Sequence, residues 1–191
     1  MQVLDRVRAA VLAYYGAPSA DSASVTFLGL EPIEILRVRD GDHIHYVTLG
    51  GSRHPMTDPA AAVADPERGP RAELVLTLRG GLGAHSGLTR ALGVLIASPS
   101  VEGIVLQEDA LLDLGEPLWH NAPFTAALLG AAPVPPVPLP EPAEPVRFLS
   151  AVPVTATEAA WVRIRGAAAL RDAWDEASID IRDPRRAAAA L

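Results

Sequence analysis

Cysteine is absent from the 191 residues. That excludes a disulfide framework, a thiolate metal site and a cysteine nucleophile together. Lysine is absent too. All 16 basic residues are arginine, so every lysine-based mechanism is excluded. Positive charge is scarce overall, and the formal net charge is -7. A chain of that balance lacks the clustered cations that hold nucleic acid or an anionic membrane. No apolar run approaches the roughly 18 residues of a membrane span. The N-terminus carries Asp5 where a secretory signal would have basic residues followed by an apolar stretch. A cytoplasmic location is expected.

What is present fits one domain. Hydrophobic residues make up 49% of the chain, enough for a substantial core. Val3, Leu4, Val7, Val11 and Tyr14 recur at helical spacing, so residues 1–15 read as an amphipathic helix stopped by Gly16 and Pro18. Short β-rich runs follow at Val25–Leu30, Ile33–Arg39 and His43–Leu49, the last two joined by a turn at Asp40-Gly41-Asp42. Gly50–Pro70 reads as loop. Arg71–Leu78 alternates, with Ala72, Leu74, Leu76 and Leu78 on one face and Glu73, Val75 and Thr77 on the other. After the break at Gly80–Gly83, a helix capped by Ser86 and ending before Pro99 is expected, then a strand at Val101–Gln107.

Residues 133–145 hold seven prolines in thirteen positions, the mark of a stiff extended crossing over the surface. Val146–Val154 reads as a strand. Thr155-x-x-Glu158 is a capping box opening one or two helices broken near Gly166, with Trp161, Leu170 and Trp174 inward. The expected class is α+β, with a mixed or largely antiparallel sheet carrying helices. The domain is expected over 1–179, with a tail at 180–191.

Four constellations bear on chemistry. Gly80-Gly81-Leu82-Gly83 sits between strand and helix, the setting of a phosphate loop, but it lacks the Gly-Lys-Ser/Thr of one motif and the third glycine of the other. His43-x-His45, with His54 nearby in sequence, could supply three imidazoles to a metal. Ser52 and Ser86 lie near Gly and His, yet neither stands in Gly-x-Ser-x-Gly. Charge is the fourth. No basic residue occurs between Arg90 and Arg147, while Glu102, Glu108, Asp109, Asp113, Glu116, Glu141 and Glu144 do. Such a span is either a solvated face or a surface for a basic partner, with apolar anchors such as Trp119.

Four short blocks, in order, resemble the suppressor-of-fused family. They are Tyr46-Val47-Thr48-Leu49-Gly50-Gly51-Ser52-Arg53-His54-Pro55-Met56; Arg71-Ala72-Glu73-Leu74-Val75-Leu76; Pro123-Phe124 with Leu128-Leu129; and Phe148-Leu149 with Val152-Pro153-Val154-Thr155 and Glu158. Gly51 departs from the family, which usually carries Met there, and the stretch around Trp119-His120-Asn121 is compressed. The resemblance implies an α+β binding domain without catalytic residues, metal or cofactor. Animal relatives bind transcription factors in a cleft formed with a second domain, which these residues do not include. Bacterial relatives include immunity proteins that neutralise toxins.

The leading expectation is therefore a non-enzymatic protein-binding domain, an immunity-type inhibitor of a basic toxin or a regulatory module. Its partner-binding residues are expected to be Glu102, Glu108, Asp109, Asp113, Glu116 and Trp119, extended by the 133–145 crossing. The alternatives are a metal-dependent enzyme using His43, His45 and His54, and a homodimeric structural protein. The family blocks are expected to be architectural, with Leu49, Met56, Leu74, Leu76, Phe148 and Leu149 buried.

Overall fold

The structure, a computed structural model, describes residues 2–191. Helix α1 (Val3–Tyr14) leads into strands β1 (Asp21–Val25), β2 (Ile33–Asp40), β3 (His43–Leu49) and β4 (Arg71–Arg79). Then come α2 (Leu88–Glu102), β5 (Leu111–Asp113), β6 (Phe124–Ala131), β7 (Val146–Thr155), α3 (Ala156–Arg165) and α4 (Ala167–Glu176). The strands form one seven-stranded sheet in the order β1-β2-β3-β4-β7-β6-β5. Among the described residues only the β4–β7 pairing is parallel. The α+β class with a mostly antiparallel mixed sheet is as the sequence implied.

Alternation along the strands decides which layer each face meets. Ile33, Ile35, Ile44, Tyr46, Leu74, Leu76 and Leu78 pack against α2, whose inner side is Leu88, Leu92, Leu95 and Ile96. The opposite face is covered in two parts. Val7 and Val11 of α1, with Val134 and Val137 of the proline-rich segment, cover Leu36, Val38, Val47 and Val75. Helices α3 and α4 cover Ala126, Leu128 and Val154 with Val162, Leu170 and Trp174. The proline-rich crossing is thus part of the second layer. Val137 bridges Val146 through two backbone bonds of 2.9 Å, and its valines are buried.

Leu49, Met56, Leu74, Leu76, Phe148 and Leu149 are all buried, as the family blocks implied. Leu76 is fully enclosed between sheet and α2. Leu76→Ala should cost about 2–5 kcal/mol, the transfer term plus the cavity left behind. A urea melt with an unchanged midpoint would place this strand outside the core.

Three local expectations need correction. The first strand lies at Asp21–Val25, before the Val25–Leu30 run. Helix α2 passes through Pro99 to Glu102. The Leu95 carbonyl, deprived of a donor by the proline, accepts instead from the Ser98 hydroxyl at 2.7 Å. No strand forms over Val101–Gln107: α2 takes its first residues, Gly103 in the left-handed region ends the helix, and Leu106 is buried over Met56. Residues 180–191 form no helix or strand, yet they are fastened down. Ile181 packs on the α4 cluster, and Arg186 and Ala189 are buried.

Candidate interaction site

The first two family blocks meet in space around Glu73, a carboxylate with no solvent exposure (0%). The β3–β4 ladder ends at Val47–Val75. Beyond it the Thr48 hydroxyl replaces a ladder bond, accepting from the Leu74 N–H at 2.8 Å and donating to Glu73 Oε2 at 2.6 Å. The chain then turns at Gly50, whose φ of +155° suits only glycine there. The N–H groups of Gly50, Gly51 and Ser52 donate to the same carboxylate at 2.8, 3.3 and 2.9 Å. The Ser52 hydroxyl adds a bond of 2.6 Å. Gly51 has ordinary angles, so only one of the two glycines is needed for its φ; the other is needed for room. A Cβ on Gly51 would collide with Ile96 and lie 2.9 Å from the Ala72 carbonyl oxygen. Burial pushes the Glu73 carboxyl up in pKa, and the donated hydrogen bonds oppose that shift. Arg71 completes the clasp, donating to the Ser52 and Arg53 carbonyls at 2.9 Å each.

This geometry accounts for Ser52. Its hydroxyl is buried and donates to Glu73, which leaves it no access to the surface. It also separates the three histidines. His45 Nδ1 meets Thr77 Oγ1 at 2.8 Å, and its ring stacks on Tyr15 at 4.2 Å. His54 follows the far end of β3, is 75% exposed and pairs with Glu31 at 2.8 Å. Among the described residues no three His, Cys, Asp or Glu side chains are arranged to hold a metal. The three-imidazole expectation fails because His43 and His45 start the strand while His54 lies beyond its end.

The acidic span is dispersed. Glu102 ends α2, Glu108 and Asp109 lie in the loop before β5, Asp113 ends β5, and Glu116 follows it. Trp119 is 6% exposed and packs on Phe124 at 5.3 Å between ring centres, so it belongs to the core. Arginines distant in sequence come to the acids: Arg147 to Glu108 at 3.0 Å, Arg90 to Glu116 at 3.3 Å, Arg171 to Asp109 and Arg163 to Asp113. The Asp113–Arg163 pair, with burial opposing it, holds the Asp113 carboxyl below the usual carboxylate range. The span is not a run of free negative charge.

Glu108 and Asp109 nevertheless share a groove of about 330 Å³ with Asp175. Its walls are Val152, Trp174, Ile179 and Ile181, and the Arg171 guanidinium is held on one side by Asp109 and the Leu129 carbonyl. Neither Asp175, supplied by α4, nor the walls supplied by the C-terminal segment belonged to the expected set. Nothing local in the sequence marked them, since Asp175 and the Ile179–Ile181 pair meet Glu108 only in space.

Comparison with known proteins gives one consistent picture. The family model for suppressor of fused protein (SUFU) matches residues 29–187. A crystal structure of a SUFU homolog from Neisseria gonorrhoeae is similar over 98% of this chain and 96% of its own, with a TM-score of 0.68 at 19% identity. The Sufu–Fu complex structure is similar over 97% of this chain and 91% of that one, with a TM-score of 0.67 at 15% identity. Drosophila Suppressor of Fused is similar over 98% of this chain and 50% of its own, with a TM-score of 0.58 at 16% identity. No curated protein of described function matches the chain. None of the described helices is long and apolar enough to cross a membrane.

Proposed function

This chain belongs to the suppressor of fused family, and from that premise we propose that it works by holding another protein, as an immunity-type inhibitor of a basic toxin. One relative of the same fold is named for its complex with Fu. The observation that carries the reading is the groove beside β7 and α4. It joins apolar walls, Val152, Ile179 and Ile181, to the carboxylates Glu108, Asp109 and Asp175. An apolar floor with a charged rim is the anatomy of a protein-recognition patch. Asp175 makes no ion pair among the described residues, and Glu108 bonds to the exposed Arg147, which a partner's cation can displace. Opposite charge speeds encounter and fixes orientation more than it adds affinity.

Affinity capture from the native organism identifies the partner. Association kinetics with that partner then test the surface. Glu108→Arg with Asp175→Arg should slow association by about tenfold or more at low salt and flatten its salt dependence. Equal rates for variant and parent at low salt would remove the groove from the interface. A captured partner that is itself acidic would remove the basic-toxin reading while leaving protein binding intact.

A further inference from the structure

A separate cavity, of about 240 Å³, lies beneath the Gly80–Gly83 turn. Ile35 and Tyr46 form its floor, and β1 forms one side. The turn is fixed above it. The Tyr46 hydroxyl accepts from the Leu82 N–H at 2.7 Å, and the Gly80 N–H donates to the Asp42 carbonyl at 2.6 Å. Gly81 has a φ of +66°, and a Cβ there would lie 3.1 Å from the Tyr46 hydroxyl. Only glycine lets the turn lie this close to the sheet.

The cavity is rich in donors without acceptors. Arg37 lines it, half-buried, with no hydrogen bond or ion pair among the described residues. Most other arginines of the chain reach a carboxylate. The Thr89 hydroxyl is unpartnered, and Ser86 Oγ only accepts a long contact of 3.4 Å from the Leu88 N–H, which leaves its proton free. The backbone N–H groups of Gly83 and Ala84 donate to no described group. One acid lines the cavity, Asp21, which faces Arg37 across the β1–β2 pair without pairing to it.

A guanidinium, two hydroxyls and turn amides around one small space form a receptor for an oxyanion. We propose that this cavity binds a small oxyanion, a phosphate or a carboxylate, with Arg37 supplying the charge. The Gly-rich turn lacks the lysine of a phosphate loop; the fold brings a cation to it from β2. Asp21 opposes the bound charge and keeps affinity modest. This site is separate from the groove at Glu108 and does not depend on the partner-binding reading.

Titration of the full ¹⁵N-labelled chain with inorganic phosphate, and in parallel with acetate, tests the site at constant ionic strength in chloride. Saturable shifts are expected at the Leu82, Gly83, Ala84 and Thr89 amides. Arg37→Gln should weaken binding by about tenfold or more, the loss of a charged hydrogen-bonding partner. Asp21→Asn should tighten it several-fold, a gain that loss of fold cannot imitate. Saturation by phosphate alone identifies a tetrahedral anion, by acetate alone a carboxylate, and by both the shared oxyanion chemistry. Shifts that fail to saturate with either anion, that persist unchanged in Arg37→Gln, or that ignore Asp21→Asn would overturn the proposal.

Discussion

Arg186→Ala is expected to remove about 3–5 kcal/mol of folding stability at neutral pH, the cost of stranding a buried charge. The guanidinium is almost fully enclosed, with 4% side-chain exposure. It bonds Glu158 through Nη1 and Nη2 at 2.8 and 2.9 Å and the Pro153 carbonyl at 2.8 Å. It also lies over the Phe124 and Trp174 rings at 4.9 and 5.4 Å, so its removal opens space as well. Glu158 would keep the Thr155 and Ala189 N–H groups and Trp174 Nε1, but not its counter-charge. Burial pushes the Glu158 carboxyl up; Arg186 and these donors outweigh it and hold the pKa below its ordinary value of 4.5. A depressed folded-state pKa adds stability above the unfolded value, and that stability is lost as pH falls through the folded one. The deficit of the variant should therefore be full at pH 7 and shrink as the pH falls toward and through the ordinary 4.5, because burial without Arg186 raises the carboxyl and lets protonation relieve it. Chemical melts at both pH values check this. An equal deficit at both would mean that lost packing, and not charge, sets the cost.

Glu73→Gln is the second large effect, about 3 kcal/mol or more. The carboxylate accepts from Thr48, Gly50, Gly51 and both donors of Ser52, and it is offered no acceptor. An amide keeps one oxygen and turns an NH₂ toward groups that are themselves donors. Three of the five donors are backbone N–H groups, which no second substitution removes. Deleting the hydroxyls alone, with Thr48→Val and Ser52→Ala, therefore should not rescue the variant. Amide exchange should accelerate first in residues 48–53. A Glu73→Gln protein that melts with the parent and keeps those amides protected would show that the turn holds without its carboxylate.

Both hubs bear on how much the sequence can disclose. The Thr155–Glu158 capping box was legible because its two bonds span three residues, and the structure contains both. Its larger role was not, since Arg186 lies 28 residues further on and nothing local marks it as a partner. Glu73 occupied the outer face of an alternating strand, where solvent is the ordinary neighbour. Its burial follows from the Gly50–Ser52 turn folding over it from another strand. The charge asymmetry of residues 91–146 is real along the chain and largely dissolves in space, because Arg90, Arg147, Arg163 and Arg171 come from flanking elements.

Short-range periodicity and residue chemistry are legible along the chain. The α+β class, the β2–β3 hairpin, the alternation of β4 and the broken α3–α4 pair rest on spacings of two to four residues. Absence was equally decisive for cysteine and lysine. Tertiary structure alone decided the strand order, the short β5, and β6, whose buried run carries no alternation because both of its faces are covered. It alone docked 180–191, drew Trp119 inward and separated His54 from His43 and His45. It alone joined Glu108 to Asp175 and Arg37 to the Gly-rich turn. Each of these depends on which distant segments share a surface, and a period of two or of 3.6 residues carries no information about that.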